Sequence, residues 1–255
     1  MQNFSVLSWN IQGNFYRGTG TKFSKIAPFL QRNNFDIICL EEIPNAATKL
    51  NSFKGFNIFI PESNKIGNRE FNHNVVITKF PIVDGGELKF SSTHASILLE
   101  NTTYVTVKLE NALLRLYVCH FAIDGAGPST RLKQLEQVAS HAAQHQGPSV
   151  ICGDMNVTIP KLSTSRIIIK YWHQEPESEM RDGDEREIFN KTAQRHGYRE
   201  VFDLYTPTWS PFHSKKAELF KLKLDWFFTK NLTVSNRTMG PYISDHRPLI
   251  VNCVL

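Results

Sequence analysis

The chain has 255 residues, of which 41% are hydrophobic, 11% aromatic and 21% charged. That balance excludes a disordered tail, a collagen-like repeat and a small disulfide scaffold, and it allows a substantial buried core. With 29 basic against 24 acidic residues the formal net charge is +5, a mild surplus that would help steer a polyanion such as nucleic acid or an acidic lipid surface.

In chain order, short β-branched and aromatic runs predict strands at Phe4–Trp9, Asp36–Leu40, Phe56–Ile60, Asn74–Thr78, Thr103–Leu109, Leu113–Cys119, Ser149–Cys152, Leu224–Thr229 and Leu249–Val254. Apolar residues at three and four spacings predict helices at Lys22–Arg32, Ser129–His145 and Glu185–His196. In the second of these, Ser129 is placed to cap the first turn behind Pro128, and Gly147-Pro148 to end the element. The acidic run Glu175–Glu185, within the polar stretch Gln174–Glu187, reads as a solvent-exposed loop. No repeat and no Pro/Gly/Ser-rich linker divides the chain, so one domain over residues 1–255 is expected.

Cys39, Cys119, Cys152 and Cys253 each sit in or at the end of an apolar run without C-x-x-C spacing, which reads as buried free thiols in a reducing compartment. Met1–Leu7 lacks the features of a secretory signal, and no segment approaches the roughly 20 consecutive apolar residues that span a bilayer. A cytoplasmic monomer is therefore expected, with any membrane contact peripheral.

Polar residues end or interrupt the apolar strands repeatedly. Phe4–Trp9 runs into Asn10, Ile37–Leu40 into Glu41-Glu42, Leu116–Cys119 into His120, and Val150–Cys152 into Gly153-Asp154-Met155-Asn156. Later, Lys223-Leu224 leads into Asp225, and Ser244-Asp245-His246-Arg247-Pro248 precedes the final strand. Singly, Asn10 or Asn156 reads as a turn former, Glu42 as a solvated strand end and His120 as a core histidine. Together they place carboxylates, carboxamides and histidines where rigid frames carry functional groups.

Ser8-Trp9-Asn10-Ile11, Ile38-Cys39-Leu40-Glu41-Glu42, Val118-Cys119-His120-Phe121, Cys152-Gly153-Asp154-Met155-Asn156, Leu224-Asp225-Trp226-Phe227 and Ser244-Asp245-His246-Arg247-Pro248 resemble, in the same order, the motifs of the endonuclease/exonuclease/phosphatase superfamily. Its members are metal-dependent phosphodiesterases, among them deoxyribonucleases, apurinic/apyrimidinic endonucleases, tyrosyl-DNA phosphodiesterases, sphingomyelinases and inositol polyphosphate phosphatases. The resemblance runs from Phe4 to Leu255 and implies an α/β fold, a four-layer sandwich of two packed mixed β-sheets flanked by helices, with the site at one edge. Two departures stand out: Glu41 occupies a position where the family usually has Gln, and Gln174–Glu187 resembles an insertion.

Hydrolysis of a phosphodiester needs a cation, an activated water and stabilisation of new charge. Glu42 is an oxygen ligand suited to Mg²⁺, with Mn²⁺ as a substitute. The resemblance makes Glu42 the principal metal ligand, Asn10 its neighbour on metal or phosphate, and Asp245 a further ligand. It places Asp154 to orient and deprotonate the attacking water, and Asn156 to hold that water or a phosphate oxygen. An unshifted Asp, with a pKa near about 3.9, is a weak base, so positioning is expected to outweigh basicity. Asp225 and His246 look like an oriented pair in which the carboxylate favours imidazolium, and His120 would be a second phosphate donor or help protonate the leaving oxygen. No G-x-S-x-G elbow, catalytic cysteine signature or P-loop offers another chemistry.

For the substrate, Lys215, Lys216, Lys221 and Lys223 around Trp209 and Phe212 suit a phosphate backbone with a stacked base. They read equally as a solvated basic loop around a core Trp. The run Arg166–His173 reads as a packing segment, with insertion into a lipid interface as the other reading. The expected activity is nucleic-acid phosphodiester hydrolysis. A lipid or inositol-phosphate phosphodiesterase is the alternative, and an inactive binding relative the third.

Overall fold

The computed structural model describes residues 1–12, 23–43, 46–61, 65–66, 69–70, 73–90, 101–122, 127–157, 184–210 and 222–255. The elements run β1 (Asn3–Asn10), α1 (Phe23–Asn33), β2 (Ile37–Ile43), α2 (Ala46–Lys49), β3 (Asn57–Phe59), β4 (Lys65–Ile66), β5 (Arg69–Glu70), β6 (His73–Thr78) and β7 (Ile82–Leu88). They continue β8 (Asn101–Lys108), β9 (Leu113–His120), α3 (Gly127–Ala142), β10 (Ser149–Asp154), α4 (Glu185–Arg195), β11 (Arg199–Glu200), β12 (Asp225–Lys230), β13 (Thr233–Met239) and β14 (Leu249–Val254).

The strands form two six-stranded sheets in the orders β13-β14-β1-β2-β6-β3 and β11-β12-β10-β9-β8-β7, with β4-β5 a separate ribbon. Each large sheet is mixed around a central parallel pair, β1 with β2 and β9 with β10. α1 links the first pair and α3 the second, as parallel strands require a crossover.

Because successive strand residues point to opposite faces, each central strand feeds two cores. Phe4, Val6, Ile37, Cys39, Val118, Val150, Cys152 and Phe227 face the space between the sheets. Leu7, Trp9, Ile38 and Leu40 face outward onto Ile26 and Leu30 of α1. Tyr117, Cys119, Ile151, Trp226 and Phe228 face outward onto Leu135 and Val138 of α3 and Phe189 of α4. The result is the expected four-layer sandwich, helix on sheet on sheet on helices.

Local chemistry explains the helix ends. Asp184 caps α4 by accepting from the Arg186 N–H. α3 starts at Gly127, two residues before Ser129, so Ser129 is not the expected cap; Pro128 sits in the first turn, where its missing N–H costs nothing. Arg131 of α3 is fully buried and donates to Glu185 of α4 through Nε at 2.8 Å and Nη2 at 3.1 Å, fixing the two helices together. All four cysteines are buried and free. Among the described residues no helix is long and apolar enough to cross a membrane.

Candidate active site

The inward-facing rows of both sheets turn from apolar to polar at the same end. Val6 is followed on that face by Ser8 and Asn10, Cys39 by Glu41, Val118 by His120, and Cys152 by Asp154. Asp225 opens β12 beside the end of β10, in register with Asp154, and Asp154 is in turn level with His120. The parallel pairs finish there and their antiparallel partners begin there, so the inter-sheet core opens into one polar mouth.

At Glu42 the alternation would send the side chain to the outer face. Instead the pairing of β2 with β6 slips between Leu40 and Ile43, and Glu42 adopts φ 55°. The irregularity re-aims the side chain, a recurrent use of bulges beside functional sites. Gln12 and Asn156, flanking the same mouth, also have positive φ, at 50° each. Such strain persists where the surroundings over-determine it.

Contacts knit the mouth across both sheets. Asn10 Nδ2 donates to Glu42 Oε1 at 3.1 Å and to Asp154 Oδ2 at 2.9 Å, and Asn10 Oδ1 accepts the Gln12 N–H. His120 Nε2 lies 3.7 Å from Glu42 Oε1 and 3.9 Å from Asp154 Oδ2. Asn156 donates its backbone N–H to Asp154 Oδ1 and its Nδ2 to Phe121 O, both at 3.0 Å. His246 Nδ1 is 2.8 Å from Asp225 Oδ2, while its Nε2 is 3.6 Å from Asp154 Oδ2 and 3.9 Å from Asp245 Oδ1. The loop bearing His246 is held by Trp9 Nε1, which donates to His246 O, and by the Ser244 hydroxyl, which donates to Asn10 O.

The electrostatics follow from burial and charge. Burial disfavours a charged His246, but the carboxylates of Asp225, Asp245 and Asp154 more than offset it and hold the ring well above the usual imidazole range. Burial pushes Asp154 above the ordinary aspartate range, against the pull of His246 and His120. Asp154 is therefore a stronger base than the unshifted aspartate expected from sequence.

Among the described residues no group of three His, Cys, Asp or Glu side chains is arranged to hold a metal ion by itself. The Glu42 carboxylate, in a mouth where acidic groups outnumber histidines, fits the chemistry of Mg²⁺, which takes one or two carboxylates and completes its shell with water and phosphate.

The family model for endonuclease/exonuclease/phosphatase proteins matches residues 7–246. The chain belongs to that family. It is accordingly a phosphoric ester hydrolase. Its fold is similar to that of a humanized D. rerio TDP2, with TM-score 0.68, 16% identity and 99% of each chain covered. It is also similar to ANGEL2, a 2′,3′-cyclic phosphatase, with TM-score 0.66, 16% identity, and 98% of this chain and 95% of that one covered. An endonuclease/exonuclease/phosphatase family protein from Leptotrichia buccalis matches with TM-score 0.69 at 15% identity, over 99% of this chain and 100% of that one. No curated protein matches in sequence.

Several expected substrate contacts look different in the fold. Lys223 is buried, not a surface cation: its ammonium donates to Glu200 at 3.2 Å and lies 4.7 Å from the Trp226 ring centroid. That pairing replaces the expected phosphate contact. Trp209 is half-buried and turns its indole N–H onto Asp245 Oδ2 at 3.0 Å. Lys215, Lys216, Lys221, Phe212 and the Arg166–His173 run lie outside the described residues.

Glu41, the departure from the family's usual Gln, is fully buried; its Oε1 accepts from the Ser8 hydroxyl, and its Oε2 has no partner among the described residues. Burial above all, with the neighbouring Asp225 and Asp154 carboxylates, raises its carboxyl well above the usual range. The shift favours the neutral form of Glu41, a group shaped like a carboxamide. An acid raised in the folded state contributes full stability below its unfolded pKa of about 4.3 and loses it as pH rises toward the folded value. Glu41→Gln, which cannot titrate, is expected to melt higher than wild type at pH 8, with the gain vanishing near pH 4 and activity retained. Melting curves at the two pH values check this, and an equal gain at both would refute it.

Proposed function

We propose that the chain acts as one catalytic domain that hydrolyses phosphodiesters in nucleic acid, with Mg²⁺ as cofactor and Mn²⁺ as substitute. The observation that carries the reading is the convergence of Asn10, Glu42, His120, Asp154 and the Asp225–His246 pair at one mouth, with contacts between 2.8 and 3.9 Å. Glu42 would hold the ion, with Asn10 beside it and Asp245 as a further ligand. Bound there, Mg²⁺ would neutralise the phosphate oxyanions and stabilise the charge that develops on the leaving oxygen.

The chain's own groups supply the rest. Asp154, held by Asn10 and the Asn156 N–H, orients a water and takes its proton, and its burial raises its basicity. Asn156 steadies that water or a phosphate oxygen with the part of its carboxamide not spent on Phe121. His246, charged and held at Nδ1 by Asp225, donates from Nε2 to a phosphoryl oxygen as negative charge builds. His120 is the second donor on the phosphate.

Two features support nucleic acid as the substrate. The net charge of +5 favours a polyanion. A fold neighbour of 14% identity, D. rerio TDP2, is known complexed with a single strand DNA product. Lys215 and Lys216 are the proposed backbone contacts, and salt is then expected to weaken binding steeply.

The test is a turnover panel in Mg²⁺ and in EDTA over single- and double-stranded DNA, abasic DNA, 5′-tyrosyl DNA, RNA, sphingomyelin vesicles and inositol phosphates. Metal-dependent cleavage of a nucleic acid is expected. Activity confined to lipid or inositol phosphate would overturn the substrate, and silence across the panel would overturn catalysis.

A further inference from the structure

Asp225 and His246 are brought together from opposite sheets. Asp225 opens β12 in one sheet, and His246 lies in the loop that enters β14 of the other. No β-ladder joins those strands, so the sandwich alone does not fix the separation of the pair. Between them runs Thr208-Trp209-Ser210, which pairs with Leu222 on one side and His246 on the other.

The segment's bonds reach Asp225 and the two residues that flank His246, Asp245 and Arg247. The Thr208 hydroxyl accepts the backbone N–H groups of Leu224 and Asp225, each at 3.0 Å. Thr208 O accepts the Arg247 N–H at 2.8 Å, and the Ser210 N–H donates to Asp245 O at 2.9 Å. Trp209 Nε1 donates to the Asp245 carboxylate at 3.0 Å. Thr208 and Ser210 are buried, 1% and 0% exposed, so water does not compete for these groups.

We propose that Thr208-Trp209-Ser210 is a positioning clasp: Thr208 sets Asp225 against His246, and the Trp209 indole aims the Asp245 carboxylate into the mouth. Trp209 then acts through Asp245 rather than by stacking on a base. The inference rests on the site assignment proposed above. Its physical basis is that small misplacements of reacting groups are costly, and that partners behind a metal-binding carboxylate tune its affinity.

The test uses the full chain with three substitutions. Thr208→Val keeps the side-chain shape and removes the acceptor, Thr208→Ser restores it, and Trp209→Phe keeps a ring without the N–H. Thr208→Val is expected to lower kcat for Mg²⁺-dependent hydrolysis of bis(p-nitrophenyl) phosphate about 100-fold, with KM changed less than about twofold. The NMR resonances of the His246 ring should move with it, and Thr208→Ser should bring both back toward wild type. Trp209→Phe should weaken Mn²⁺ binding, read by electron paramagnetic resonance, about 10-fold. Thr208→Val with wild-type kcat and unmoved His246 resonances, or Thr208→Ser as impaired as the valine variant, would overturn the Thr208 role. Unchanged Mn²⁺ binding in Trp209→Phe would overturn the Asp245 role. If wild type turns over no diester, the proposed function fails, and the His246 resonances alone decide the clasp.

Discussion

Asp154→Asn is expected to lower kcat on a phosphodiester about 1,000-fold, within the range that general-base catalysis supplies, while the protein stays folded. The substitution preserves size but leaves one carbonyl oxygen where Asp154 has two, so only one of the donors Asn10 Nδ2 and Asn156 N–H still meets an acceptor, and the group that accepts the water's proton is gone. One of the three carboxylates that hold His246 charged is lost as well, which weakens donation to the phosphate. Steady-state kinetics beside a circular dichroism melt checks the prediction. A variant within tenfold of wild type would show that Asp154 is not the base.

The residue before it carries the largest expected effect on stability. Gly153 has φ +126°, and a Cβ built there would lie 2.1 Å from the backbone oxygen of Cys119 on the paired strand β9. Neither the clash nor the strain can relax cheaply, because the obstacle is backbone in the centre of a sheet. Gly153→Ala is expected to destabilise the chain by about 4 kcal/mol, the combined scale of a forced left-handed backbone and an overpacked core. For a chain of this size that corresponds to a melting point lower by about 8–16 °C. Urea unfolding would show a lower midpoint at similar slope, and a midpoint equal to wild type would contradict the packing described here.

The layout of the fold was readable in sequence where strands are buried on both faces. Runs such as Phe4–Trp9 and Ser149–Cys152 are buried on both faces, so they appear as mainly apolar stretches ended by a polar residue. The edge strands β7 and β13 were not readable. β7, Ile-Val-Asp-Gly-Gly-Glu-Leu, and β13, Thr-Val-Ser-Asn-Arg-Thr-Met, are half exposed, and their side chains show neither an apolar run nor clean alternation. Their strand character comes from pairing with β8 and β14.

The mouth itself was legible as a set of polar strand ends, and the parity of each strand explains why they meet. Stepping by two from Val6, Cys39, Val118 and Cys152 reaches Asn10, Glu41, His120 and Asp154 on a common face. Glu42 breaks that parity through a bulge, which no spacing rule reveals. Lys223 was misread because a lysine two residues before the proposed catalytic Asp225 looks like a surface cation, whereas Glu200, more than twenty positions away, draws it inward. Thr208 and Trp209 were hidden for the same reason. Their bonds to Asp225 and Asp245 span distant segments, so sequence showed an aromatic beside a basic loop and nothing of the clasp.

The central claim is that these strand ends form one cation-assisted site for phosphodiester hydrolysis. Hydrolysis of bis(p-nitrophenyl) phosphate by the wild-type chain, followed in Mg²⁺, after EDTA, and after Mg²⁺ is restored, tests it most directly. The account predicts turnover that disappears with the chelator and returns with the ion. Turnover indifferent to EDTA, or none in saturating Mg²⁺, would contradict it.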